Sequence, residues 1–147
     1  MRGYYLDASA LIKRYATELG TAEVVDLLRE ATDVYTASVA YAELIMAFRR
    51  KRDEGTLQAE QLDHLLRDLD KEWEGFNRIG LSDRVLRLVK DRCRRHPLRA
   101  LNAIHLASAL LLQEAGVDLA FVCSDHRLKD AASREGLKVV DPVENRQ

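Results

Sequence analysis

Short apolar runs alternate with longer amphipathic segments along this chain, and that alternation restricts the fold more than any other feature. "GYYLD" at 3–7 is an apolar run closed by an acid, and "SALIKRYA" after it has helical spacing, with Ser9 available as a cap. "TAEVVDLLREA" follows Gly20 as a second amphipathic helix, and "DVYTAS" reads as a strand. Ser38 can cap a long helix, "VAYAELIMAFRRKRDE", which Gly55 ends. Thr56 opens another helix, with Leu62, Leu65, Leu66, Leu69 and Trp73 on one stripe. "FNRIGL" reads as a short strand before Ser82 caps "DRVLRLVKDRCRR". After Pro97 comes the apolar helix "LRALNAIHLASALLLQ", residues 98–113, closed by Gly116. "DLAFVCSD" is then a buried strand, "HRLKDAASRE" a short helix and "LKVV" a last strand before Pro142. Strands separated by helices pair in parallel through crossovers, so the expected fold is a three-layer α/β/α domain around a central, mainly parallel sheet.

A chain of 147 residues has the size of one domain, assigned here to residues 1–147. With 47% hydrophobic and 32% charged residues, two prolines and seven glycines, it is expected to be ordered. The first residues resemble no signal peptide, and no stretch approaches the roughly 20 apolar residues of a membrane span, so a cytoplasmic protein without membrane contact is expected. Cys93 and Cys123 stand in neither a metal-binding nor a redox spacing and read as reduced, structural residues. A net charge of −1 argues against binding nucleic acid by bulk charge. Two local basic clusters remain, "RRKR" at 49–52 and Arg92, Arg94, Arg95 and Arg99; each reads either as a solvated helix end or as a surface facing a ligand.

The acids are more telling than the cations. Asp7 and Asp125 each end a buried strand, which puts both carboxylates at the sheet's C-terminal edge, where α/β proteins bind ligands. Either alone could be a turn or cap residue. Glu43 is surrounded at helical spacing by Val39, Ala40, Met46 and Ala47, and a carboxylate on an apolar stripe is costly unless it is paired or bound to a metal. Asn102, in the first turns of the 98–113 helix, can approach the same edge. Three carboxylates held together repel one another, and a divalent cation that favours oxygen, Mg²⁺ or Mn²⁺, resolves the repulsion. There is no P-loop glycine pattern and no HExxH pair, which leaves hydrolysis of a phosphodiester as the natural chemistry.

Four segments, "YYLDASALIKRY", "TASVAYAELIMAF", "LRALNAIHLASAL" and "FVCSDHRLKDAA", resemble in order and spacing the signature segments of PIN-domain ribonucleases, and the chain as a whole is most similar to the VapC toxins of type II toxin–antitoxin systems. The resemblance places Asp7, Glu43 and Asp125 on the family's metal-binding acids. The family's remaining acid is an aspartate opening "DAIHLA"; here that position is Asn102, a carbonyl donor without charge, which implies a weakened metal site and reduced activity. The resemblance also implies an RNA substrate, a small VapB-like antitoxin laid across the acidic groove, and a homodimer. Ser9 and Ser124 flank the strand-end acids and can orient them or serve as caps. His105 shares a helix face with Asn102 and reads as a packing residue or a helper of the site. Lys13 and Arg14 follow Asp7 by two helical turns, within reach of an RNA phosphate, although solvated charge is the plainer reading.

Two other functions stay in view. The neutral Asn102 admits a PIN module that binds RNA or an antitoxin without cutting. A haloacid-dehalogenase-like phosphatase would share the aspartate ending the first strand, but "DASAL" lacks the second acid that such an enzyme needs two residues later.

Overall fold

In a computed structural model, which describes residues 3–144, the chain runs β1 (Gly3–Leu6), α1 (Ala8–Tyr15), α2 (Thr21–Glu30), β2 (Asp33–Ala37), α3 (Val39–Asp53), α4 (Ala59–Trp73), β3 (Asn77–Ile79), α5 (Asp83–Arg92), α6 (Ala100–Glu114), β4 (Leu119–Val122), α7 (His126–Arg134) and β5 (Lys138–Val140). The strands form one parallel sheet in the order β3-β2-β1-β4-β5. The three-layer α/β/α expectation therefore holds.

The layers follow from the two-residue period of the strands. On one face Tyr4 and Leu6 of β1 and Ala120 and Val122 of β4 pack against α1 to α4, in a core that includes Leu11, Leu44, Phe48 and Leu69. On the other face Tyr5 and Phe121 meet α5, α6 and α7 through Val85, Leu106, Leu110 and Leu128. Tyr5 and Phe121 are register partners, and their rings stack with centroids 5.3 Å apart. β1 is thus covered on both faces. Strands added on one side of β1 are β2 and β3, and on the other β4 and β5, so the chain order reverses beside β1. Open α/β sheets bind ligands outside such a reversal, at the carboxyl ends of the strands.

Several local expectations are corrected. Asp7, not Ser9, caps α1: its side chain accepts from Ala10 N. Ser38 precedes α3 in helical conformation and makes no cap bond with its side chain; its N–H instead extends the sheet, donating to the Ile79 carbonyl at 2.9 Å. α4 opens at Ala59 rather than Thr56, because Gln58 and Gln61 form a reciprocal capping box. Ser82 caps α5 as expected. The stripe from Leu62 to Trp73 does face the core.

The basic residues also sort differently. Lys13 and Arg14 are both paired: Lys13 is buried and pairs with Glu18 at 2.7 Å, and the partly exposed Arg14 pairs with Glu72 at 2.7 Å. Within "RRKR", Arg49 pairs with Asp53 and Lys51 with Glu18. Arg99 stands at the N-terminal cap of α6, not at a helix C-terminus. Glu135, just past α7, accepts from Arg92 at 3.1 Å and sits 2.7 Å from His96 Nε2, tying the end of α5 to α7. Among the described residues no helix is long and apolar enough to cross a membrane.

Burial works against ionisation of Glu135, but hydrogen bonds from His96 and Arg92 outweigh it and hold the carboxyl below its ordinary range. The folded state therefore releases this proton more readily than the unfolded chain does. Its contribution is present above the unfolded pKa and lost as pH falls through the lowered folded value. Glu135→Gln is expected to cost about 1–3 kcal/mol near neutral pH. The gap should close in strongly acidic solution, as pH falls through the lowered folded pKa. Urea unfolding of both proteins under the two conditions checks this, and a gap independent of pH refutes it.

Candidate active site

Asp7, Glu43, Asn102 and Asp125 come from four separate parts of the chain and line one cavity of about 530 Å³ at the C-terminal edge of the sheet. Asp7 and Asp125 occupy the turns that follow β1 and β4. Each caps the helix that follows it and also lines the cavity. Asp125 accepts from Leu128 N at 3.0 Å and Asp7 from Ala10 N at 3.0 Å. The caps fix where each carboxylate sits without consuming all of its lone pairs.

Asp7 is the most constrained of the four. It is buried, and Ser9 Oγ lies 2.8 and 2.9 Å from its two oxygens. Parallel pairing of Leu6 with Val122 carries Cys123 alongside Asp7, and the thiol donates to Oδ2 at 3.3 Å. Burial raises the Asp7 carboxyl above its ordinary range, while the charge of His105 and the hydrogen bonds from Ser9 and Cys123 pull it back. Burial, then the adjacent Asp7 charge, pushes the Cys123 thiol well up, so it stays a donor. Ser124 reaches no acid directly; its N–H and hydroxyl lie 3.3 and 3.4 Å from Ser9 Oγ, bracing the serine that holds Asp7.

Glu43, on α3, is held from the opposite layer. His105 Nε2 lies 2.7 Å from Glu43 Oε1, and its Nδ1 lies 2.8 Å from the Tyr5 hydroxyl. A carboxylate can only accept, so Nε2–H donates to Glu43, while Nδ1 meets the Tyr5 hydroxyl. His105 is fully buried, and it is both a core residue and the support of Glu43. Asn102 is the third residue of α6; its side chain neither caps the helix nor forms another hydrogen bond among the described residues. Its amide is left to the cavity.

The donors are oxygens, which suits a hard divalent cation. They are not drawn to a single ligating point: among the described residues no three His, Cys, Asp or Glu side chains are gathered closely enough to hold a metal ion. Asp7 and Glu43 are each engaged by protein donors, and the fourth corner contributes no charge.

Sequence reasoning missed three parts of the site. Tyr5 could have been inferred from its place on the strand ending in Asp7, facing the layer that holds His105. Cys123 lies two residues before Asp125, at the height of Asp7 on the neighbouring strand. Arg127 follows Asp125 by two residues and lines an adjoining cavity of about 840 Å³ with Arg50 and Arg99.

A parallel α/β sheet with carboxylates from β1, β4 and α3 at its C-terminal edge defines an α/β domain with an acidic, oxygen-donor site. The chain belongs to the PIN-domain family, in the branch of the VapC ribonucleases: the PIN domain model matches residues 4–133. "Ribonuclease VapC46" of Mycobacterium tuberculosis is 35% identical over 144 residues, covering 97% of this chain and 99% of the relative. Among solved structures, FitAcB from Neisseria gonorrhoeae matches with a TM-score of 0.71 at 17% identity, over 96% of this chain and 99% of that one. A toxin–antitoxin complex from Klebsiella pneumoniae matches at 0.68 and 18%, over 95% of this chain and 97% of that one. At these identities the structural matches speak for the fold.

The buried Tyr5–His105–Glu43 chain gives a direct test. Tyr5→Phe is expected to cost about 1 kcal/mol and His105→Ala roughly 2–4 kcal/mol, since the second leaves a cavity in the core and takes the ring's hydrogen bonds from Tyr5 and the partly exposed Glu43. A double-mutant cycle read by urea unfolding should return a coupling of about 0.5 kcal/mol or more. Additive losses would mean that the hydroxyl and the ring do not act together.

Proposed function

We propose that this chain is a metal-dependent endoribonuclease of the VapC type, a single PIN domain that hydrolyses phosphodiester bonds in RNA. Mg²⁺ or Mn²⁺ would be held by Asp7, Glu43 and Asp125, and more weakly by Asn102. The observation that carries this reading is the convergence of those four oxygen donors on one cavity, in a family whose relatives are named ribonucleases.

When bound, the cation supplies polarisation of the phosphoryl oxygen and a bound water of lowered pKa. The chain's own part is to orient. Ser9 and Cys123 lock the Asp7 carboxylate, and His105 holds one oxygen of Glu43 while leaving the other for a ligand. Asp125 faces the cavity from its cap position. A single strand of RNA exposes its phosphates to such an edge and leaves its bases open to recognition.

The kinship to VapC proteins and the likeness to a toxin–antitoxin complex support a VapB-like antitoxin as partner; a homodimeric toxin acting in the cytoplasm completes the proposal. A second reading, a PIN module that binds RNA or its antitoxin without cutting, is favoured by the neutral Asn102 and the ungathered acids. An RNA cleavage assay with Mn²⁺, Mg²⁺ or EDTA separates the two.

Asp7→Ala and Asp125→Ala are each expected to abolish cleavage and, through the lost helix cap, to cost about 0.5–2 kcal/mol of stability, partly offset by relief of like-charge repulsion, with circular dichroism checking that the chain stays folded. Retained cleavage in either variant would remove that residue from the site. Asn102→Asp is expected to raise Mn²⁺ affinity roughly tenfold to a hundredfold by calorimetry, equivalent to about 1–3 kcal/mol, and to raise cleavage with it. An acid in the first turn of α6 also favours the helix by about 0.3–1 kcal/mol without metal. The titration, not a melting curve, is therefore the deciding measurement, and equal affinities would place Asn102 outside the metal site.

A further inference from the structure

The acid cavity opens into the larger one of about 840 Å³; the two share Glu43, Arg50, Leu101, Asn102 and Asp125. Three guanidinium groups line this extension from three helices: Arg50 of α3, Arg99 at the start of α6 and Arg127 in the first turn of α7. None of the three has an ion-pair partner among the described residues, although Glu43 and Asp125 face the same space. In the cluster around Arg50, Arg49 and Lys51 are paired, and Arg52 has no ion pair among the described residues.

Stability does not explain the placement. A cation at a helix N-terminus opposes the macrodipole, and Arg99 and Arg127 both stand at N-termini. α6 has no side-chain cap, whereas Asp125 caps α7, so one uncapped helix end and three arginines face one cavity. Only Arg50, in the last turn of α3, agrees with its dipole. Such a concentration of positive potential is balanced by an anion that enters from outside.

We propose that Arg50, Arg99 and Arg127 form a phosphate clamp that grips the RNA backbone beside the acid cavity, at a nucleotide neighbouring the bond that is cut. This rests on the nuclease reading above. Arg50 lies seven residues beyond Glu43 on α3, about 10 Å along the helix, so a phosphate held there is not the one over the acids. A polyanion approaching three carboxylates is repelled, and the clamp supplies the compensating attraction next door. An acidic peptide carries no such division of roles along its length, whereas an RNA strand presents one phosphate after another. Leu98 and Leu101, the latter 45% exposed, line the same cavity and give an unstacked base an apolar surface.

The test measures binding of a fluorescein-labelled single-stranded RNA by anisotropy, in EDTA so that nothing is cut, over a series of KCl concentrations. Arg99→Ala with Arg127→Ala should weaken binding by about tenfold at low salt and make the log–log salt slope shallower by about 1.4, the single-strand value for two phosphate contacts. Arg50→Ala should remove about 0.7 of the slope. Arg99→Lys with Arg127→Lys should keep the slope, which guards against loss through misfolding. Arg29→Ala, which removes one charge as Arg50→Ala does but on α2 beside the start of β2, should leave slope and affinity unaltered. In cleavage with Mn²⁺ the alanine pair should raise KM and leave kcat within about twofold, as uniform binding requires. If the wild-type chain cleaves RNA and the arginine variants bind it with unchanged affinity and slope, the clamp is overturned and the nuclease reading stands. An equal loss in Arg29→Ala overturns the clamp in favour of bulk charge. A wild-type chain that neither binds nor cuts RNA overturns both.

Discussion

The buried carboxylate of Asp7 is the interaction on which the rest of the site depends. It closes the central strand, starts α1 by accepting from Ala10 N, and reaches across to the neighbouring strand through the Cys123 thiol. One side chain therefore fixes the relation of β1, α1 and β4 at the sheet edge. Burying it carries a desolvation cost, which is why its carboxyl is raised and why Ser9 serves both oxygens at once. Ser124 supports Ser9, and Asp125 lies one residue further on. The position of the second strand-end acid is thus coupled to that of the first through two hydroxyls.

A second support reaches the site from the opposite layer. His105, inside the α5–α6–α7 core, passes a hydrogen bond from Tyr5 on β1 to Glu43 on α3. The acids at the edge are consequently held from both faces of the sheet, and the core that stabilises the fold also sets their orientation. Asn102 is the exception. Its side chain makes no hydrogen bond among the described residues and lines the cavity, so a change at this position alters charge without releasing a network.

Much of this was legible in the sequence because apolar runs and helical stripes report burial directly. The parallel sheet, the strand-end placement of Asp7 and Asp125, and Glu43 on an apolar stripe all follow from periodicity, and the four site residues do share a cavity. Caps were less legible. Ser9 and Ser38 have favourable chemistry, but at each helix start a neighbouring acid or a backbone ladder bond took the role. Charges were the least legible, because pairing depends on residues distant in sequence: Arg14 finds Glu72, and the "RRKR" cluster divides among separate partners and surfaces. His105 shows the same limit, since a lone histidine reads as packing until its two partners, from a strand and another helix, are seen.

The sheet ends on both sides in strands of only three residues, β3 and β5. An incoming strand would find too few backbone donors and acceptors there to register against, which is one way that proteins prevent sheet-to-sheet aggregation. Lengthening of the sheet by another chain is therefore disfavoured, which leaves the helical and loop surfaces for any association. Recognition then rests on the side chains those surfaces display, which can diverge between closely related chains while the backbone stays the same. A cell holding several proteins of this architecture can keep their partnerships separate by surface substitutions alone.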